Sequence, residues 1–147
     1  MSIFPNEIDD YDRAQAAIHS GMLGAALYAA WVIFSWIMAF GISGGGALFP
    51  LLSSSSQLTI VAIVAAQLGI ALFAVWRFLR GKGAIAGSLN ALVLVAEVAL
   101  DLINQVFLGI IWYAVLLGIL LALLNGVRGA LAIRDLHGPF EEAEAFD

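Results

Sequence analysis

Apolar residues fall into four long runs separated by short polar or glycine-rich segments. A helix needs about 20 residues to cross a hydrocarbon core of roughly 30 Å, and each run is long enough to do so. We place the four spans at residues 20–42, 57–79, 84–104 and 108–133. The pattern therefore predicts an all-α integral membrane protein, a bundle of four transmembrane helices in a single domain, residues 1–147.

A different sequence feature predicts each of the three connections between these runs. Residues 41–57 hold four glycines, a proline and four consecutive serines, a composition typical of a loop. Gly81-Lys82-Gly83 predicts a tight turn. Residues 84–133 would form a helix roughly 75 Å long, so the chain must fold back, and Asn104-Gln105 is the most polar place to do so.

Both ends of the chain are polar and acidic. Residues 9–19 predict a short cytoplasmic helix that continues into the first span, because the acidic residues at its start compensate the helix dipole. Gly138-Pro139 predicts the end of the last helix. We expect residues 136–147 to form an acidic cytoplasmic tail.

The basic residues all fall on one side of this arrangement. By the positive-inside rule that side is cytoplasmic, so both termini are expected there, in a multi-pass protein of the bacterial inner membrane. The six basic residues are Arg13, Arg77, Arg80, Lys82, Arg128 and Arg134.

Composition supports the membrane interpretation and removes several function classes. The chain is 63% hydrophobic and 12% charged, and its net charge of -5 makes nucleic acid an unsuitable partner. It has no cysteine, which excludes thiolate chemistry and cysteine-based metal sites. His19 and His137 lie near the ends of spans, so we expect no intramembrane haem, no metal site, no cofactor and no enzymatic activity.

Glu97 and Asp101 are the only carboxylates inside the predicted spans. An ionisable group at that depth is costly and suggests a functional role. Their spacing of four residues puts them on one helix face, and Asn90 and Asn104 lie within about 60° of them. The third span thus carries a polar stripe that is expected to face protein or water.

Depth along each span suggests partners for this stripe. At about 1.5 Å per residue, Glu97 is level with Ser35 on the first span and near Gln67 on the second. Tyr28, Asn90 and Asn125 would form a second polar layer nearer the cytoplasm.

Two interpretations of these polar layers remain open. Glu97 either donates a hydrogen bond to Gln67 or Ser35 as interhelical glue, or it binds an ion or proton. No arginine sits at its depth, so protonation, a cation or a partner subunit must neutralise it.

Small residues recur every four positions on the fourth span, and such a series lets two helix backbones approach closely, within the chain or between subunits. Gly83 and Gly87 begin a similar series on the third span. The residues of the fourth span are Ala114, Gly118, Ala122, Gly126 and Ala130.

Two functions are compatible with these features. The first is a non-enzymatic accessory or structural subunit of a larger membrane complex or homo-oligomer, surrounded by membrane lipids. The second is an oligomeric proton- or cation-coupled transporter or channel that uses Glu97 and Asp101.

Overall fold

The computed structural model describes residues 11–41, 55–103 and 110–141. This part of the chain consists of four helices, with no strand in the described ranges. Every helix contains a stretch long and apolar enough to cross a membrane, which confirms the predicted four-helix architecture and indicates a multi-pass membrane protein. The helices are α1 (Tyr11–Gly41), α2 (Ser55–Leu79), α3 (Ala84–Ile103) and α4 (Ile110–Glu141).

Helix α1 runs without a break from Tyr11 through residues 11–19 into the first span, as expected, and Ala14 and Ala17 in that stretch are buried. The end of the last helix differs from the expected one, because α4 continues through Gly138-Pro139 to Glu141 and so includes the first residues of the expected tail. The expected start of the first helix at residue 9 and the turn at Asn104-Gln105 lie outside the described residues.

The four helices are arranged so that each packs on its neighbours in the sequence. Helix α1 has its most extensive contact with α4 and its next with α2, while α3 packs on α4 and on α2. A smaller contact joins α1 to α3 across the centre of the bundle. The polar stripe of α3, which carries Asn90, Glu97 and Asp101, therefore meets α1 at this central contact.

Helices α1 and α4 touch backbone to backbone. A Cβ atom on Gly21 would lie 2.5 Å from the Cα atom of Gly126, closer than real carbon atoms approach. One turn away, a Cβ atom on Gly24 would lie 3.1 Å from the backbone nitrogen of Leu123. In lipid, where apolar burial alone does not drive association, such close approach supplies the dispersion contacts that hold helices together.

The ring of Phe78, at the end of α2, connects the whole bundle. Its side chain is 1% exposed, and it occupies the space that a side chain would need at four glycines. A Cβ atom built on Gly21 would lie 2.9 Å from the Phe78 ring, and one built on Gly126 would lie 3.1 Å from it. A Cβ atom on Gly83 or Gly87 would overlap the ring. One aromatic side chain thus fixes the relative positions of α1, α3 and α4.

The turn between α2 and α3 holds that ring in place. Gly81 adopts a left-handed conformation with φ of 69°, and the Lys82 N–H donates to the carbonyl of Arg77 at 3.0 Å. The Gly81 N–H donates to the Phe78 carbonyl, also at 3.0 Å. These two bonds form a Schellman motif, which confirms the predicted tight turn and ends α2 one residue after Phe78.

We expect Gly126→Ala to destabilise the bundle by about 1–3 kcal/mol, the usual range for overpacking. The added methyl group must push α1 and α4 apart at Gly21. Thermal unfolding of the detergent-solubilised protein, followed by circular dichroism, should show a lower midpoint.

Gly69→Ala is the matched control, because nothing lies within 4 Å of a Cβ atom on Gly69. It should leave the midpoint unchanged or raise it, since alanine favours helix over glycine by about 1 kcal/mol. Equal midpoints for Gly126→Ala and wild type would contradict the close contact.

Candidate functional site

The polar stripe of α3 faces the interior of the bundle. Asn90 is 0% exposed, and Glu97 and Asp101 are partly buried. The outer side of the same helix is apolar and exposed, with Leu92 at 67% and Leu100 at 58%. The fourth residue of the stripe, Asn104, lies outside the described residues.

Both oxygens of the Glu97 carboxyl group are bound by α1. The Tyr28 hydroxyl donates to Oε2 at 2.7 Å, and the Trp31 indole N–H approaches Oε1 at 3.4 Å. The two donors are three residues apart and share one face of α1. Tyr28 is fully buried and Trp31 nearly so, which removes competing water from both donors.

These partners differ from the ones expected by depth. Ser35 and Gln67 are partly buried and make no hydrogen bond to Glu97. Asn125, expected in the layer nearer the cytoplasm, is also partly buried. Tyr28, expected in the layer nearer the cytoplasm, is instead the main partner of Glu97.

The difference comes from the register between α1 and α3. Gly21 and Gly87 both contact the ring of Phe78, so they lie at one level. Trp31 follows Gly21 by ten residues and Glu97 follows Gly87 by ten, so on two parallel helices Trp31 and Glu97 also lie at one level. The depth argument matched Glu97 to Ser35, one helical turn too far, or about 6 Å at 1.5 Å per residue.

Asn90 shares the face of Glu97 but is isolated from it. Its amide nitrogen and oxygen are both buried, and neither has a hydrogen-bond partner in the described part of the chain. Leu94, which is 1% exposed, lies between Asn90 and Glu97 on the same face. The polar stripe is therefore interrupted by one buried leucine.

An aromatic cluster adjoins the carboxyl group. The ring of Trp31 lies 5.2 Å from that of Trp112 on α4, and Phe34 lies 5.7 Å from Trp112. These rings form part of an open apolar groove of about 270 Å³ between α1 and α4. The groove is lined by Leu27, Ala30, Trp31, Phe34, Trp112, Val115 and Ile119.

The small residues of α4 divide into two halves. Ala122, Gly126 and Ala130 are partly or fully buried, and the first two contact α1 at Gly24 and Gly21. Ala114 and Gly118, by contrast, are exposed, and nothing lies within 4 Å of a Cβ atom on Gly118. Gly83 and Gly87 accommodate the Phe78 ring and do not bring two helix backbones together.

Two features of the site were missed in the sequence. The small residues of α4 pack on small residues of α1 that were not singled out, although their spacing of three or four residues is visible in the chain. They are Ala14, Ala17, Gly21 and Gly24. Phe78 had no comparable signal beyond its position just before a glycine-rich turn.

The arrangement can bind a proton or accept hydrogen bonds at one carboxyl group. Among the described residues no three His, Asp or Glu side chains come together as metal ligands. No protein-family model, no curated protein and no solved structure matches this chain.

A double-mutant cycle tests the contact between Tyr28 and Glu97. Tyr28→Phe and Glu97→Leu each remove one partner of the hydrogen bond, and the loss in the double variant should differ from the sum of the two single losses. The expected coupling is about 0.6–1.7 kcal/mol, the range found for hydrogen bonds between membrane helices. Unfolding in mixed micelles provides the free energies.

Ser35→Ala with Glu97→Leu is the control cycle, and its coupling should be zero because the two side chains do not form a hydrogen bond. Coupling of Glu97 with Ser35 and none with Tyr28 would contradict the observed contact and would place Glu97 level with Ser35, as the depth argument expected.

Proposed function

We propose that this chain is a non-enzymatic structural or accessory subunit that assembles in the membrane through the exposed half of the α4 series, Ala114 and Gly118. The assembly is a homo-oligomer or a larger complex. The observation that supports the proposal is the free space around Gly118, on a helix whose other small residues already serve as a contact surface.

The two halves of the series provide an internal comparison. At Gly126 the absence of a side chain allows α1 to touch the backbone of α4. At Gly118 the same helix presents a bare backbone, and none of the described residues lies within 4 Å of a Cβ atom there. Glycine in a helix is less favourable than alanine by about 1 kcal/mol, and a second helix packed there would offset that loss.

The transport alternative receives less support from the site. A conduction path along α3 requires continuous polar groups, and the buried Leu94 separates Glu97 from Asn90. Loss of ion or proton flux in liposomes on Glu97→Gln, with assembly intact, would favour transport over the structural role.

The proposal includes an orientation. With the basic residues on the cytoplasmic side, the Lys82→Cys variant should react with a membrane-impermeant maleimide only in inside-out bacterial inner-membrane vesicles. Since the chain has no cysteine of its own, the signal comes from that position alone. Labelling in right-side-out vesicles would reverse the orientation.

Gly118→Leu should dissociate the assembly while leaving the single chain folded. A Cβ atom on Gly118 meets none of the described residues within 4 Å, so a side chain can leave the helix there without a clash at its base, but it would hold off a second helix. Native mass spectrometry of protein extracted gently from its own membrane should show the wild type in a defined oligomer or with a constant partner. The variant should be at least tenfold enriched in monomer.

Gly69→Leu on α2 is the matched control, because a Cβ atom there also meets nothing within 4 Å. It should retain the wild-type assembly. Dissociation by Gly69→Leu and not by Gly118→Leu would place the interface on α2, and a monomeric wild type without a partner would reject the proposal.

A further inference from the structure

We propose that Glu97, with Tyr28 and Trp31, is a proton-binding site within the membrane, open toward the end of the bundle where Asp101 lies and closed toward the other end. The proton comes from water on the Asp101 side. This site is independent of the α4 interface proposed above.

No lysine or arginine of the chain lies near Glu97. All six lysine and arginine residues lie near the opposite end of the bundle, in the first turns of α1, around the α2–α3 turn and in the second half of α4. A carboxylate without a counter-ion is strongly unfavourable in hydrocarbon, and a bound proton removes the charge.

The other polar or ionisable side chains described in the half of the bundle around Glu97 add no positive charge. They are Tyr28, Trp31, Ser35 and Trp36 on α1, Thr59 and Gln67 on α2, Asp101 on α3, and Trp112 and Tyr113 near the start of α4. None of them carries a positive charge, so a proton is the only cation that these side chains themselves can exchange with Glu97.

Both protonation states of Glu97 fit the observed geometry. In the ionised state, Tyr28 donates to Oε2 at 2.7 Å and Trp31 approaches Oε1 as a second donor. In the neutral state, the proton resides on Oε2 and is donated to the tyrosine oxygen, because a hydroxyl group both donates and accepts. Trp31 keeps its position in both states, so a proton can bind and leave without movement of a helix.

Access to the site is different in its two directions. Asp101 is one turn further along the same face, only partly buried, and i, i+4 side chains are neighbours on a helix. In the other direction, the fully buried Tyr28 and the 1% exposed Leu94 occupy the interior. The proton therefore reaches Glu97 past Asp101, and Asn90 lies beyond the closed side.

A hydrophobic carbodiimide tests the presence of the proton. Dicyclohexylcarbodiimide reacts with protonated carboxyl groups in apolar surroundings, and the full chain in liposomes should form one adduct, located at Glu97 by peptide mass spectrometry. Glu97→Gln should abolish it, and Asp101→Asn should retain it. An unchanged circular dichroism spectrum of Glu97→Gln shows that the loss is not due to unfolding.

The rate of labelling tests the exchange with water. At pH values above the pKa of Glu97, the protonated fraction, and hence the labelling rate, should fall about tenfold for each pH unit. In vesicles of known orientation, only pH on the Asp101 side should change the rate. An adduct at another residue, a rate independent of pH, or a response to pH on the opposite side would each overturn the proposal.

Discussion

The contact between the backbones of Gly21 and Gly126 is the constraint from which the rest of the bundle follows. Within a bilayer, lipid tails compete with helices for apolar contact, so helices associate where their surfaces fit closely. Because two glycines face each other, α1 and α4 approach so closely that the backbone of each helix occupies the space that a side chain on the other would need. This pair gives α1 its most extensive interface.

The Phe78 ring extends that constraint to the other two helices. It fills the space left by Gly21 and Gly126 and also reaches Gly83 and Gly87, so a single ring sets the level of α3 against α1. That register brings Glu97 opposite Tyr28 and Trp31. The polar site is thus a consequence of glycine packing about ten residues away along the helices. The same close contact uses only one half of the α4 series and leaves Ala114 and Gly118 exposed.

The parts of this arrangement that depend on one helix alone were predictable from the sequence. The length of each apolar run gave the four helices, because bilayer thickness translates directly into residue number. The spacing of Asn90, Glu97 and Asp101 gave the stripe on α3, and Gly81 gave the turn. The partner of Glu97 was not predictable in this way, since it depends on the register between two helices, and that register depends on Phe78. Likewise, the spacing on α4 predicted a contact surface but not which half of it the chain itself would cover.

The most direct test of this account is the register of α1 against α4, measured by disulfide formation in a chain that has no cysteine of its own. A Cβ atom on Gly24 would lie 3.0 Å from the Cβ atom of Ala122, about 0.5 Å less than the usual disulfide range, a gap that a small shift closes. The Gly24→Cys, Ala122→Cys double variant should therefore form an intramolecular disulfide on mild oxidation, while Gly24→Cys with Gly118→Cys should not. An intramolecular bond to position 118 in place of position 122 would contradict the register on which both the Glu97 site and the free half of α4 depend.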